Sequence, residues 1–333
     1  MKNLQILLKN RPVGIPKPGD FELFAAKVTN PNAGEVLVRN LWLSLDPYMR
    51  GRISNAKSYV NPVEIGEVMV GGTVGEVIES LHPDFKVGDK VVGTLGWQLY
   101  ATSKGDTLRK IPDSQISLSA YLGVLGMPGV TAWIGVNKIC FPKPGETLIV
   151  SAAAGAVGST VGQIAKLIGC RVVGIAGGEK KCLHVVEELG FDACVDYKAN
   201  NLHEDLEIAC PNGIDVCFEN VGAQIFDEVL SLVNPFARIA LCGLVAQSSA
   251  IEAYRYLNIR NILVNRVRLQ GFIVFDHMAD WDNAVSELSQ LLFADKLKYY
   301  ETIANGLDRA PEAFIGMLQG ANLGKQLVRL TSG

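Results

Sequence analysis

The feature that most constrains this chain is a turn set between an apolar strand and an apolar helix. Thr147 to Val150 runs into Ser151-Ala152-Ala153-Ala154-Gly155-Ala156-Val157-Gly158, and the apolar pattern then continues to about Ile168. The segment reads as a glycine-poor G-x-G-x-x-G, with Ala153 at the first position and Gly155 and Gly158 at the second and third. Gly155 lets a backbone approach a pyrophosphate, and Gly158 lets the helix pack close to the sheet. The helix N-terminus itself favours an anion. A tight strand-to-helix turn without a ligand is the alternative reading of the same residues.

The flanking pattern extends this unit. From about residue 121 the chain alternates apolar strands with helical stretches: TLIVSA, RVVGIA with a helix at about 179 to 189, ACVDY, IDVCFEN and RIALCG, then RLQGFIVF near 268 to 275 and a helix near 281 to 294. Strands alternating with helices of this length imply parallel pairing through right-handed crossovers, a doubly wound α/β domain. The first 120 residues read differently. Short β-prone runs such as EVLVRNLWLSL (35 to 45) and GGTVGEVIES (71 to 80), joined by turns such as HPDFKVGDKV, read as a β-barrel. The tail, with KYYETIANG, APEAFIGMLQG and KQLVRL, can close either domain.

Composition sets limits on function. The 333 residues, 48% of them hydrophobic, suffice for about two domains with proper cores. A formal charge of −3 gives no net positive field for nucleic acid. No apolar run reaches the length of a membrane span, and the N-terminus has too short an apolar stretch for a secretory signal, so the expectation is a soluble, cytoplasmic chain. The seven cysteines form no CxxC pair and the four histidines no His-x-x-x-His pair. Reduced core thiols and the absence of a metal centre are expected.

The end of the second strand selects the cofactor. An NAD site carries an acid there to accept hydrogen bonds from the adenosine ribose. Here RVVGIA runs into Gly177-Gly178-Glu179-Lys180-Lys181, with glycines at the tip and two lysines beyond. The pattern favours NADP(H), with Glu179 as the contrary feature; an acid at a helix start is stabilised in any case.

The motifs LWLSLDPYMRGR (41 to 52), VGGTVGEV (70 to 77), LGMPGVTAW (125 to 133), SAAAGAVGS (151 to 159), GFDACVDYK (190 to 198), FENVG (218 to 222), RLQGFIVFD (268 to 276) and APEAFIGMLQGANLGK (310 to 325) occur in this order over nearly the whole chain. Together they resemble the zinc-independent medium-chain dehydrogenase/reductases. Within these, the likeness is to the leukotriene B4 dehydrogenase/prostaglandin reductase group, with its alkenal and curcumin reductase-like members. The resemblance implies a GroES-like barrel over 1–121 completed by 296–333, and a Rossmann NADPH-binding domain over 122–295. It implies a homodimer, with apolar residues near 260 to 275 covered by the partner. It also implies NADPH-dependent reduction of α,β-unsaturated aldehydes and ketones.

Carried over by matching residues, Gly155, Ala156, Val157 and Gly158 hold the pyrophosphate, Lys181 pairs with the 2′-phosphate and Tyr197 lies near the adenosine ribose. Asn220, the Cys242-Gly243-Leu244 turn, Phe272, Ile273, Val274 and Asn322 line the nicotinamide half. Turn-capping by Asn220 and Asn322, and a core role for Phe272 to Val274, stand beside these assignments. Two departures matter. Val264 stands where mammalian members carry a tyrosine, and Gly222-Ala223 replaces the common Gly-Gly. Zinc-containing relatives have Cys and His ligands in the N-terminal domain, yet no cysteine here precedes Cys140.

The expected chemistry is conjugate reduction. Hydride delivery to the β-carbon leaves an enolate whose charge must be met by hydrogen-bond donors at the carbonyl oxygen. Tyr48, on the turn set by Pro47, is the candidate donor, with packing at a domain junction as its alternative role. Tyr254 and Tyr256 are candidates to replace the tyrosine missing at Val264. Asp46 and Arg50 are expected either to fix the loop as an ion pair or to touch substrate. An NADPH quinone oxidoreductase, separable only by its substrate, and an NADPH-binding protein without turnover remain the alternatives.

Overall fold

The computed structural model describes residues 2–250 and 252–330; Met1, Ile251 and 331–333, the last within the expected C-terminal return, lie outside the described residues. In chain order the strands are β1 (Lys2–Leu8), β2 (Phe21–Lys27), β3 (Glu35–Ser44), β4 (Thr73–Ser80), β5 (Lys90–Gly93), β6 (Tyr100–Lys104), β7 (Arg109–Lys110), β8 (Thr147–Ser151), β9 (Arg171–Ala176), β10 (Ala193–Asp196), β11 (Ile214–Glu219), β12 (Val233–Leu241), β13 (Arg268–Gly271), β14 (Glu301–Asn305) and β15 (Lys325–Arg329). The α-helices are α1 (Tyr48–Arg52), α2 (Met127–Ile134), α3 (Ala156–Ile168), α4 (Glu179–Glu187), α5 (Leu202–Ala209), α6 (Ala223–Ser231), α7 (Val245–Ser248), α8 (Arg260–Val264), α9 (Trp281–Phe293) and α10 (Ala310–Leu318). Among the described residues no helix is long and apolar enough to cross a membrane. The chain divides into two compact units, one up to Gly123 and again from Glu301, the other Val124–Tyr300. The sequence had set these divisions at 121/122 and 295/296.

In the first unit β3 organises a seven-stranded sheet. One edge of it pairs with β4, while the other is shared: Glu35–Arg39 pairs with β6 and Trp42–Ser44 with β15. Two register shifts along the β3–β4 ladder mark where the strand bends, as bulges do. The tail therefore returns to this unit, through β15 on β3 and β14 parallel to β15. It also supplies core. Phe314 of α10 is fully buried edge-on to Trp97, centroids 5.6 Å apart, and Trp97 stacks on Phe21 at 5.7 Å. Burying a side chain of that size contributes about 2–3 kcal/mol, which is what binds the tail to the barrel.

In the second unit six parallel strands run in the order β10-β9-β8-β11-β12-β13. Strand β8 is buried at every residue and β9 and β11 at all but one each, as strands covered on both faces must be. The order reverses between β8 and β11, and at such a switch point the carboxyl ends of the strands open a crevice. The sequence expected a strand to about residue 275. Instead β13 stops at Gly271, and a 3₁₀ stretch covers Val274–Asp280. Just past the strand end Phe272 turns its ring edge-on to buried Phe218, centroids 6.1 Å apart.

Candidate active site

The crevice in the second unit is closed at its base by side chains. Asn220, just after β11, donates its backbone N–H to Ser151 Oγ and its side-chain amide to Ser151 O, both at 2.8 Å. This locks the ends of β8 and β11 together. Glu219, fully buried, accepts from the N–H groups of Val221 and Gly222 at 2.6 Å each through Oε1. Its backbone carbonyl accepts from Cys242 and Gly243, so one residue fixes both the ENVG turn and the Cys242-Gly243-Leu244 turn. Burial raises the Glu219 carboxyl above its ordinary range.

In the turn between β8 and α3 the left-handed residue is Ala152, at φ 52°, just before the Ala153–Gly158 segment, and Ala153 is fully buried. Gly155 N-caps α3 with no side chain bonded to the first turn, which leaves its N–H groups directed outward. A Cβ on Gly158 would run into the Ala152 carbonyl, so only glycine allows α3 this close to the strand end. An uncapped thirteen-residue helix over a side-chain-free approach fits a pyrophosphate.

At the tip of β9 the geometry is equally specific. A Cβ on Gly177 would stand 2.8–2.9 Å from the Tyr197 ring, so the glycine seats that tyrosine. Asp196 accepts from the N–H groups of Gly178 at 2.7 Å and Lys198 at 2.9 Å, tying the β9 and β10 ends together. Lys181 lies in the first turn of α4, and its ammonium pKa is lowered by burial and then by the charge of Lys198. Two cations this close are a fitting receptor for a dianion. The pair fits a ribose 2′-phosphate, and the sequence reading missed Lys198 because it stands seventeen residues beyond Lys181.

In the first unit Tyr48 begins α1, with Pro47 as its N-cap. Its ring packs on the cluster around Leu45, Met49 and Trp97. Burial, then the Asp46 carboxylate, raises the phenol well above its ordinary pKa, so it is held as a proton donor. The expected Asp46–Arg50 ion pair is not formed. Asp46 instead pairs with buried Lys325 at 2.7 Å and accepts from Ser44 Oγ, while Lys325 also donates to Leu45 O at 2.6 Å. Arg50 donates to the backbone carbonyl of Gly14 at 2.9 Å. Asn322 caps its own turn by donating to Gly324 O at 2.8 Å, and lies in this unit rather than with Asn220.

The hydroxyls of Tyr254 and Tyr256 are both engaged within the second unit. Tyr254 donates to Asp227 at 3.3 Å, and Tyr256 accepts from Ala223 N and Gln247 Nε2 at 3.1 Å each. Both brace the loop after α7 onto α6. The turn at Gly222-Ala223 survives its departure from Gly-Gly with Ala223 at φ 52°. A left-handed alanine costs about 1 kcal/mol relative to glycine, so Ala223→Gly should raise the melting temperature by a few degrees; an unchanged or lower value in a thermal scan would contradict the geometry.

Comparison with known proteins agrees with this architecture. A family model described as the N-terminal domain of oxidoreductase matches residues 4–111, and one described as zinc-binding dehydrogenase matches residues 156–290. The chain is 50% identical to the NADPH-dependent curcumin reductase of Escherichia coli (strain K12), over 99% of this chain and 97% of that protein. It is 40% identical to a 2-alkenal reductase (NADP(+)-dependent) of Nicotiana tabacum, over 99% and 98%. The chain belongs to the zinc-independent medium-chain dehydrogenase/reductases, in the group of the curcumin, alkenal and prostaglandin reductases. The crystal structure of CurA from Vibrio vulnificus in complex with NADPH superposes with a TM-score of 0.95 at 48% identity, over 99% of this chain and all of that one. The fold is thus the family's GroES-like domain with a Rossmann domain. Solved quinone oxidoreductases, such as that of Pseudomonas syringae at 22% identity, share the fold alone. Despite the wording of the second family model, no group of three His, Cys, Asp or Glu among the described residues is placed to hold a metal ion.

Proposed function

We propose that this chain is an NADPH-dependent reductase of the C=C bond of α,β-unsaturated aldehydes and ketones. The observation that carries the reading is the Lys181–Lys198 pair beside Tyr197 and Gly177, in the Rossmann domain of a chain half identical to an NADPH-dependent curcumin reductase. Gly155, Ala156, Val157 and Gly158 hold the pyrophosphate, and Lys181 with Lys198 holds the 2′-phosphate while Tyr197 lies on the adenosine side. Asn220, Cys242, Gly243, Leu244, Phe272, Ile273 and Val274 border the nicotinamide half. When bound, NADPH supplies the hydride that reaches the β-carbon of the substrate.

The protein's own part is to hold the reactants in place and to meet the charge that develops on the carbonyl oxygen. Tyr48, kept protonated by its surroundings, donates to that oxygen as the enolate forms, and a proton then reaches the α-carbon. Loss of one such donor costs about 100- to 1,000-fold in rate, so Tyr48→Phe is expected to lower kcat by that factor with NADPH affinity unchanged. An unaltered kcat would remove Tyr48 from the mechanism. With NADPH deuterated at the transferred position, the product is expected to be a saturated carbonyl labelled at the β-carbon. Label on the carbonyl carbon of an allylic alcohol would sink the conjugate reading.

The working form is a cytoplasmic homodimer in which β13 of two copies pairs across a two-fold axis. Supporting this, every residue of β13 is exposed, leaving a free edge, and Leu263 (79% exposed), Phe275 and Met278 lie exposed nearby. Light scattering of the purified chain should give twice the protomer mass, and Leu269→Lys with Leu263→Lys should give the single mass. A monomeric wild type would contradict the assembly.

A further inference from the structure

Cys182 on α4 and Cys194 on β10 are twelve residues apart in sequence, yet their sulfurs meet at 3.0 Å. Cys140, Cys170, Cys210 and Cys217 are buried, whereas this pair is half-buried, at the edge strand of the parallel sheet. We propose that Cys182 and Cys194 are a redox-modified pair, oxidised by peroxides to a disulfide that weakens NADPH binding at the adjoining phosphate site.

The geometry divides the roles. The Cys194 thiol donates to the Cys182 sulfur and holds the Cys182 thiol below its ordinary pKa, and Cys182 also sits near the N-terminus of α4, which favours a thiolate. The same hydrogen bond, with burial, raises Cys194. Cys182 is therefore the attacking sulfur. Its thiolate attacks one oxygen of a peroxide, the O–O bond breaks, and the leaving oxygen takes up a proton to depart as water or an alcohol. Cys182 is left as a sulfenic acid. The Cys194 sulfur then attacks the Cys182 sulfur, the S–S bond forms, the S–O bond breaks, and water leaves with the Cys194 proton. Two thiols lose two electrons in total and the peroxide gains them.

Its effect on the cofactor rests on the functional reading above. Lys181 directly precedes Cys182, and Tyr197 and Lys198 follow Cys194 by three and four residues. Closing the sulfurs from 3.0 Å to a bond of about 2.05 Å draws α4 and β10 together by about 1 Å, enough to misplace the two lysines. By linkage, bound NADPH resists the oxidation by the same factor that the disulfide weakens its binding.

The test treats the reduced, desalted enzyme with hydrogen peroxide, then counts thiols, maps cross-linked peptides and titrates NADPH. The seven thiols of the chain should fall to five, with one Cys182–Cys194 peptide and a Kd for NADPH raised about tenfold, all reversed by dithiothreitol. Cys182→Ser and Cys194→Ser should each keep the reduced enzyme's Kd after peroxide. Seven surviving thiols, or a cross-link elsewhere, would overturn the pair, and a mapped disulfide with unchanged Kd would overturn its coupling to the cofactor. Lys181→Ala titrated in parallel separates the causes. If it binds NADPH as the wild type does, the phosphate assignment has failed and not the thiol chemistry.

Discussion

Lys325→Met lowers the stability of the barrel unit by about 3–5 kcal/mol, visible as a loss of about 10 °C or more in the melting temperature. Lys325 and Asp46 are only 5% and 7% exposed, and the ammonium meets both the Asp46 carboxylate and the Leu45 carbonyl. Removing the cation leaves a carboxylate buried without its counter-charge, and that desolvated charge accounts for the cost more than the lost contact does. The double variant Asp46→Leu/Lys325→Met removes both charges and should recover most of the melting temperature. Its kcat should nevertheless stay low, because Tyr48 lies two residues beyond Asp46 on the turn that the pair anchors. Equal melting of wild type and Lys325→Met would show the pair to be dispensable.

Lys181→Ala reduces kcat/KM for NADPH by about 30- to 100-fold, corresponding to about 2–3 kcal/mol for a charge-assisted contact to a phosphate. The same variant should change kcat/KM for NADH by no more than about twofold, since NADH carries no 2′-phosphate for a lysine to meet. Lys198→Ala should weaken NADPH in the same direction. Initial rates at varied cofactor concentration measure all of this, and equal losses for both cofactors would mean that Lys181 supports the fold of α4 rather than the phosphate.

The sequence made the parallel sheet legible because its signals are local. An apolar strand, a small-residue turn and an amphipathic helix lie within about twenty residues, and the observed α3, Ala156–Ile168, ends where the pattern does. The barrel strands and Pro47 turn were readable for the same reason. What escaped was set by distant residues. Nothing near Lys325 announces that its partner is Asp46, 279 positions away, so Arg50, four residues from Asp46, stood in for it. The left-handed residue of the turn, Ala152, had no signal in the sequence, because alanine at both 152 and 153 leaves no glycine to mark it. No periodicity in RLQGFIVF marks where β13 ends and the Phe272 ring turns onto Phe218. The Cys182–Cys194 contact arises only because α4 and β10 pack together, so the seven cysteines read as scattered.

The central claim is hydride transfer from NADPH to the β-carbon of an enal or enone, and initial-rate assays test it most directly. The purified enzyme is offered an alkyl enone, a 2-alkenal, a diarylheptanoid dienone and a quinone, each with NADPH and NADH in parallel, while cofactor oxidation is followed and products are identified. The account predicts turnover of the enones and the alkenal to saturated carbonyls, with NADPH strongly preferred. Oxidation of NADPH by the quinone alone, or equal use of NADH, would contradict it.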